Sequence, residues 1–226
     1  MRSPIRVVAL DMAGTTISDD GVVLDAFRAA LADAGITPAS PEYPVAEQIV
    51  HETMGQSKIE VFRRVLGDEG AAGRACAAFE NAYGKAVLAG RVTALPGAEI
   101  LLDKLRAGGV KTCLTTGFSR STRDLLLQQL GWEQAADLVL SPADAGRGRP
   151  FPDLLWTAML HLGAGSVDEV AIAGDTASDM EAGRRAGVSL RCGVLTGADD
   201  ETRLRSGGAT HILPSVADLL PLVENH

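Results

Sequence analysis

Short apolar runs rich in β-branched residues recur along the chain, and longer stretches with helical spacing separate them. The short runs are apolar throughout, whereas the longer stretches place their apolar side chains on one helical face. This alternation predicts an α/β fold, a doubly wound parallel sheet whose strands are joined by right-handed helical crossovers. The predicted strands are Val7–Leu10, Val110–Thr115, Leu138–Leu140, Val170–Ala173, Leu190–Leu195 and His211–Leu213.

About a hundred residues separate the first predicted strand from the second, far more than one crossover needs. Pro, Gly and Asp punctuate the pattern at Ser18–Gly21 and at Leu95–Gly97, which we interpret as the hinges of an inserted unit. We expect residues 1–17 and 96–226 to form an α/β core and residues 18–95 to form a helical cap domain. The helices predicted in the cap are Leu24–Ala34, Val45–Thr53, Ser57–Leu66 and Ala71–Ala89.

Composition and charge limit the kinds of molecule that the protein can bind and the compartment in which we expect it. Hydrophobic residues make up 46% of the 226 residues, which is ample for a buried core. The net charge of -8 argues against nucleic acid or a membrane as partner, whereas a small phosphorylated molecule can still be held by local cations. No apolar run is long enough to span a membrane and no apolar leader follows Met1, so we expect a cytoplasmic protein. The three cysteines lack the spacing of a zinc site or a disulfide framework.

Carboxylate, hydroxyl and guanidinium side chains cluster near the ends of the predicted strands. Asp11 follows the first strand, with Thr15 close behind it, and Thr115–Gly117 ends the second. Arg149 precedes a predicted helix, and Asp175–Asp179 follows a later strand. Because the carboxyl ends of parallel strands share one edge, these side chains should form one site. An oxygen nucleophile beside carboxylates that bind a hard divalent cation indicates phosphoryl transfer or hydrolysis.

The order and placement of these motifs resemble the haloacid dehalogenase superfamily of hydrolases, over nearly the whole chain. The resemblance implies that Asp11 attacks phosphorus to form an aspartyl-phosphate and also binds Mg²⁺. It further implies that Asp175 and the backbone carbonyl of Ala13 are metal ligands. Asp179 would hold metal-bound water or orient Arg149.

The same resemblance implies a set of groups that bind the phosphoryl oxygens. Thr115, which we favour over Thr116, would hydrogen-bond these oxygens together with backbone N–H groups near Gly117, and Thr15 is a further binding candidate. Arg149 would offset the repulsion between an anionic nucleophile and an anionic substrate.

Position 13 departs from the pattern of most phosphatases of the superfamily, which carry an Asp two residues after the nucleophile. This chain has Ala13 there. Because that Asp protonates a leaving alkoxide, its absence implies a different leaving group. The Asp-x-Ala-Gly-Thr segment resembles the phosphonatase (phosphonoacetaldehyde hydrolase) branch, whose members cleave a carbon–phosphorus bond and in which a cap lysine replaces the Asp.

The predicted helix Ser57–Leu66 offers such a lysine. At 100° per residue, Lys58 lies near the middle of an arc of apolar residues, where desolvation would keep part of the amine neutral, as Schiff-base formation requires. The Met54–Lys58 segment, Met-Gly-x-x-Lys, matches the phosphonatase pattern. The alternative is a lysine at a helix start whose ammonium reaches water. The arc consists of Ile59, Val61, Phe62, Val65 and Leu66.

Two positions differ from the phosphonatase pattern. Phosphonatases carry a His three residues beyond the lysine, where this chain has Val61, and a Gly-Tyr pair where it has Gly117-Phe118. His51 precedes the lysine by two turns and could reach the same cleft, although a single His on a cap helix more often faces solvent. We therefore include His51 and Met54 among the substrate-binding candidates, and the exact phosphonate stays open.

We expect a Mg²⁺-dependent hydrolase that cleaves the carbon–phosphorus bond of phosphonoacetaldehyde or a related phosphonate, through an aspartyl-phosphate and a Schiff base at Lys58. The alternative is a phosphomonoesterase acting on a small phosphorylated metabolite, against which Ala13 and Lys58 argue. A catalytically silent binding module has no need of five matched polar groups at one edge. A homodimer stays open, because Ala- and Leu-rich cap helices could pair with a second copy or pack internally.

Overall fold

The computed structural model describes residues 3–18 and 20–226. Met1, Arg2 and Asp19, the last of which belongs to the predicted hinge Ser18–Gly21, lie outside the described residues. The strands are β1 (Val7–Asp11), β2 (Ile17–Ser18), β3 (Thr93–Ala94), β4 (Lys111–Thr115), β5 (Leu138–Leu140), β6 (Val170–Gly174), β7 (Leu190–Val194) and β8 (His211–Leu213).

Helices separate most of these strands along the chain. Before β4 they are α1 (Val22–Asp33), α2 (Tyr43–Glu52), α3 (Lys58–Leu66), α4 (Glu69–Leu88) and α5 (Ala98–Ala107). After β4 they are α6 (Arg120–Leu130), α7 (Pro142–Ala145), α8 (Asp153–Leu162), α9 (Ala177–Ala186), α10 (Glu201–Gly207) and α11 (Leu220–Glu224). Single 3₁₀ turns lie at Val167–Glu169 and Val216–Asp218. Within the described ranges, no helix combines the length and the apolar character that a membrane crossing needs.

The main sheet has six parallel strands in the order β5-β4-β1-β6-β7-β8, so the predicted doubly wound α/β fold is confirmed. Every residue of β1 and β6 is buried, as continuous apolar runs in a sheet covered on both faces should be. The chain builds outward from β1 to β4 and β5, then returns to β6 on the other side of β1. The carboxyl ends of β1 and β6 therefore form the topological switch point at which open α/β sheets bind ligands.

The predicted strands differ from the observed ones by a residue at some ends. β1 runs on to Asp11, which pairs with Thr115 across the ladder. β4 begins at Lys111 and not at Val110, because the Val110 N–H donates to the Leu105 carbonyl at 2.9 Å and closes the end of α5. Apolar runs locate a strand, but the exact ends depend on hydrogen bonds to the neighbouring elements.

Helices α1 to α4, residues 22–88, form what we call the helical insert. The two short strands β2 and β3 pair antiparallel, Ile17 with Ala94 and Ser18 with Thr93, and bring the two ends of the insert side by side. Strands of two residues carry no readable period, so this ribbon was not predicted. A buried aromatic cluster that includes Phe27, Phe62 and Phe79 joins α1, α3 and α4.

Candidate active site

Three buried carboxylates meet at the switch point. Asp11 ends β1, Asp175 follows β6, and Asp179 lies in the first turn of α9. One ligand oxygen from each lies within 4.8 Å of the others. The position of Asp179 follows from a capping box, in which the Asp179 N–H donates to the Thr176 hydroxyl and the Thr176 N–H donates back to the Asp179 carboxylate, each at 3.2 Å. Local helix-capping chemistry thus holds one member of the cluster in place.

Arg149 links two of these carboxylates. Its Nη1 donates to Oδ1 of Asp11 and to Oδ1 of Asp179, and its side chain is only 3% exposed. Burial by itself would lower the pKa of the guanidinium, but the charges of Asp11 and Asp179 outweigh burial and hold that pKa above its ordinary range. Arg149 is therefore a fixed positive charge beside the nucleophile predicted from the sequence.

Asp175 is held by the loops after β1 and β7. The hydroxyl of Thr15 donates to Oδ1 of Asp175 at 3.2 Å, and the N–H of Ala198 donates to Oδ2 at 2.8 Å. A Cβ at Gly14 or at Gly197 would clash with the same carboxylate. Gly14 also has a positive φ of 85°, so its lack of a side chain serves both the turn and the close approach.

Burial shapes the electrostatics of this cluster. It raises the pKa of Asp11 to about 6, with the charge of Arg149 lowering it and that of Asp179 raising it further. Burial, followed by the charges of Asp11 and Asp179, raises the pKa of Asp175 well above its ordinary value. Three buried carboxylates facing one guanidinium leave a negative excess. An all-oxygen donor set with such an excess fits a hard divalent cation such as Mg²⁺.

A cavity of about 420 Å³ lies between the carboxylates and the helical insert. From the core side, the candidate residues that line it are Asp11, Ala13, Thr116, Gly117, Arg149 and Asp175. From the insert, the candidates Met54 and Lys58 line it together with Gly55. The cavity therefore brings residues from the two predicted units to the same space.

The two threonines at the end of β4 have different surroundings. The Thr115 hydroxyl donates to the Leu10 carbonyl on the neighbouring strand at 3.4 Å, and Thr115 does not line the cavity. Thr116 does line it, and its Oγ1 accepts a hydrogen bond from the Phe118 N–H at 3.2 Å. An Oγ1 that accepts this bond keeps its own hydrogen available for another acceptor.

The structure does not bring His51 into this cavity. His51 lies near the end of α2, is exposed, and is absent from the residues that line the cavity. Its backbone carbonyl accepts a hydrogen bond from Nη2 of Arg203 on α10 at 3.3 Å. In the structure His51 thus contributes a backbone contact between the insert and the core, and its side chain is not part of the cavity.

Lys58 begins α3 and is 6% exposed, on the same helical face as the buried Val61 and Phe62. Its Nζ lies 5.3 Å from the ring centroid of Phe27, 5.5 Å from that of Phe79 and 5.0 Å from that of Phe118. We call these three rings the aromatic cage. Sequence analysis did not single out Phe27 or Phe79, because each reads only as one apolar position on a predicted helix.

The segment before Lys58 packs tightly against the core. A Cβ at Gly117 would lie 2.5 Å from the backbone oxygen of Gln56, and a Cβ at Gly55 would clash with the Thr176 hydroxyl. The loop after β7 was also missed in the sequence, although Gly197 and the Ala198 N–H contact Asp175. Its signal was a Gly-containing turn directly after a predicted strand, at the same edge as the carboxylates.

The fold and the carboxylate cluster agree with a comparison against protein families. The family of haloacid dehalogenase-like hydrolases matches residues 5–187. The chain therefore belongs to the haloacid dehalogenase-like hydrolases, and it is a hydrolase enzyme.

Among curated proteins, the chain is similar to phosphonoacetaldehyde hydrolases. The protein of that name from Nitratidesulfovibrio vulgaris is 26% identical over 261 residues, which cover 98% of this chain and 90% of that protein. A phosphonoacetaldehyde hydrolase from Bacillus cereus is 29% identical over 116 residues, which cover 51% of this chain and 44% of that protein. The alignment with the Bacillus protein thus spans less than half of its length.

Solved structures show the same architecture. A hydrolase from Pseudomonas syringae has a TM-score of 0.83 and 26% identity, covering 97% of this chain and 98% of that one. A phosphonoacetaldehyde hydrolase-like protein from Oleispira antarctica has a TM-score of 0.84 and 25% identity, covering 99% of this chain and 93% of that one. A predicted phosphatase from Clostridium acetobutylicum, at 19% identity and a TM-score of 0.82, shares the fold.

Proposed function

We propose that this protein is a Mg²⁺-dependent phosphonatase that cleaves the carbon–phosphorus bond of phosphonoacetaldehyde or of a closely related phosphonate. The observation that carries the proposal is that Lys58 and Asp11 line one cavity while Ala13 stands where a phosphatase needs a general acid. The similarity to proteins named phosphonoacetaldehyde hydrolase supports the same reaction.

In this proposal the carboxylates of Asp11, Asp175 and Asp179 and the backbone carbonyl of Ala13 would hold the cation. Mg²⁺ bound there would neutralise charge on the phosphonate oxygens. Against the larger effect of burial, the charge of Arg149 lowers the pKa of Asp11, and the hydrogen bond from Arg149 would aim the carboxylate. Arg149 would also reduce the repulsion between the nucleophile and an anionic substrate.

We assign the hydrogen bond to the phosphonate oxygens to Thr116, whose hydroxyl hydrogen is available in the cavity. Thr115 would instead support β1 through its bond to the Leu10 carbonyl. Thr15 would act through Asp175, which it holds by a hydrogen bond. The helical insert would act as a cap domain that excludes water from the cavity.

The neutral amine of Lys58 adds to the aldehyde carbon, and the hydroxyl of the adduct takes up one proton from water and leaves as water, which gives the iminium. The Asp11 carboxylate then attacks phosphorus, and the electron pair of the carbon–phosphorus bond moves into the iminium to give an enamine. Without that electron sink, a carbanion would have to leave. Protonation of the enamine carbon and hydrolysis of the resulting iminium release acetaldehyde and restore Lys58. Water cleaves the aspartyl-phosphate to phosphate and Asp11.

Borohydride trapping tests this proposal. The protein is incubated with phosphonoacetaldehyde and Mg²⁺, reduced, digested and analysed by peptide mass, with phosphate release measured in a parallel unreduced reaction. We expect a reduced adduct on Lys58 and phosphate release, both lost in Lys58→Met. Lys85→Met, the same change at an exposed lysine on α4, is the matched control and should keep both.

Two outcomes would overturn the proposal. Full turnover of the aldehyde by Lys58→Met would exclude the Schiff base. Absence of adduct and of phosphate from the aldehyde, together with hydrolysis of a phosphate ester, would place the protein among the phosphomonoesterases.

A further inference from the structure

The aromatic cage around Lys58 comes from three separate parts of the chain. Phe27 lies on α1 and Phe79 on α4, both in the helical insert, whereas Phe118 lies in the core loop between β4 and α6. All three rings are buried. Phe118 provides the nearest ring centroid, 5.0 Å from Nζ. The cage is therefore complete only where the insert meets the core.

Phe118 is fixed by ring contacts with the insert. Its ring centroid lies 4.5 Å from that of Tyr83 and 6.2 Å from that of Phe79, both on α4. Phe79 in turn lies 4.6 Å from Phe27. These ring contacts restrain the Phe118 ring on the side that faces the insert, next to Lys58.

Hydrogen bonds on both sides of Phe118 hold its backbone. The Phe118 N–H donates to the Thr116 hydroxyl oxygen, and the N–H and hydroxyl of Ser119 both donate to the Glu80 carboxylate. Glu80 follows Phe79 on α4. A short segment of the core thus connects the threonine in the cavity, one wall of the cage, and the insert.

A lysine side chain has much rotamer freedom, and in an open cleft most of its conformers would aim the amine away from a substrate carbonyl. Three ring faces within 5.5 Å of Nζ surround the end of the side chain, and their packing restricts its conformers before substrate binds. In the observed conformer, Lys58 lines the same cavity as Asp11.

We propose that the aromatic cage positions the Lys58 amine and that Phe118 is the positioning residue through which the core controls it. Seating of the insert on the core would then both close the cavity and aim the amine. The importance of that aim for turnover rests on the proposed function, but the cage itself can be tested without any phosphonate.

The direct test is the rate at which formaldehyde and cyanoborohydride methylate Lys58 in the Mg²⁺-loaded protein of 226 residues. The rate is followed by peptide mass and normalised to that of Lys85. Phe118→Leu removes one ring of the aromatic cage, so the Lys58 amine becomes more exposed and less restrained. The rate of Lys58 methylation should therefore rise about tenfold. Phe118→Tyr keeps the ring and should stay within about twofold of the unsubstituted protein.

Phe62→Leu is the matched control. Phe62 is fully buried in the same cluster, 5.4 Å from Phe27 and 6.3 Å from Phe79, but it is not one of the three rings of the cage. Phe62→Leu and Phe118→Leu each replace one buried ring of the cluster with the same smaller side chain. If the substitutions acted only by loosening the insert, Lys58 methylation would therefore rise in both variants. An unchanged or slower rate in Phe118→Leu, or an equal rise in Phe62→Leu, would overturn the proposal.

Steady-state kinetics separate this inference from the proposed function. With phosphonoacetaldehyde, Phe118→Leu should lower kcat about tenfold with KM changed less than about threefold, and Phe118→Tyr should restore kcat. If the unsubstituted protein does not cleave this substrate, the proposed function fails, but the methylation rates still test whether the aromatic cage positions the Lys58 amine. If it does cleave it and Phe118→Leu retains full kcat, the positioning role fails.

Discussion

The hydroxyl of Thr15 donates to Oδ1 of Asp175 at 3.2 Å, although 160 residues separate them along the chain. The bond joins the loop after β1 to the turn after β6, the two strand ends that meet at the switch point of the sheet. It shows how two polar motifs that are remote in sequence become one site. The residues around this bond lead to four predictions beyond the two proposals.

Asp11→Asn should abolish hydrolysis. An amide is a poor nucleophile toward phosphorus, so phosphate release should fall by at least about a thousandfold. The same change removes one buried negative charge, so the metal-free protein should keep or gain thermal stability. Phosphate release and a thermal melt check the two effects. Asp103→Asn, at an exposed site on α5, should alter neither; retained turnover in Asp11→Asn would exclude Asp11 as the nucleophile.

Mg²⁺ should stabilise the protein more at neutral than at acid pH. Burial raises the pKa of Asp11 from its ordinary value of 3.8 to about 6, so the folded protein binds this proton more tightly than the unfolded chain. The corresponding stability is complete below the unfolded pKa and is lost as pH rises through about 6. Above that pH the Asp11 carboxylate is ionised, and a cation bound to it would offset the cost of burying that charge.

Thermal melts with and without Mg²⁺ near pH 5 and near pH 7.5 measure this difference, and the Mg²⁺-induced rise in Tm should be several degrees larger at the higher pH. Asp11→Asn serves as the control, because without this carboxylate the pH dependence of the rise should shrink. An equal rise at both pH values would contradict the prediction.

Thr116→Val should lower kcat/KM on the substrate by about ten- to a hundredfold, because it removes the hydroxyl that binds the phosphonate oxygens in the proposed function. Thr115→Val is the matched variant, since it removes a hydroxyl that donates to the Leu10 carbonyl at 3.4 Å, and kcat/KM should change less than about threefold. Steady-state kinetics on both variants give the comparison. A larger loss of kcat/KM in Thr115→Val than in Thr116→Val would instead assign the contact with the phosphoryl oxygens to Thr115.

Gly117→Ala should weaken the contact between insert and core. Its Cβ would lie 2.5 Å from the backbone oxygen of Gln56, so the segment before Lys58 would have to move. We expect kcat/KM to fall by about tenfold or more, because a small displacement of the reacting groups is costly. Gly73→Ala on α4, where a Cβ meets nothing within 4 Å, should leave kcat/KM unchanged and stabilise the helix slightly. Equal kinetics in the two variants would exclude this packing role.

Much of the fold could be predicted from the sequence, because a strand buried on both faces of a parallel sheet is a continuous run of apolar residues. β5 and β8 match the predicted ranges, and β1 and β6 extend them by one residue. The carboxylates could also be placed together, because the ends of parallel strands share an edge. Helix α3 was predicted with Lys58 on its apolar face, and Lys58 is buried there.

Other features depend on contacts between segments remote in sequence. Whether Thr115 or Thr116 faces the cavity depends on the side-chain direction at the last residue of β4, which a one-residue shift would reverse. His51 could be placed only near the cleft, since the packing of α2 decides that its carbonyl, bonded to Arg203, meets the core. A two-residue ribbon such as β2 and β3 has no period to read.

The sequence by itself determined that polar motifs follow the apolar runs, that Asp11 stands at the end of the first of them, and that position 13 holds Ala and not Asp. Each of these is a matter of residue type at a position next to an apolar run. Only the tertiary structure decided that Phe27, Phe79 and Phe118 surround Lys58. These rings lie on two helices and a loop, and a local pattern records that a residue is buried but not which neighbour it is buried against.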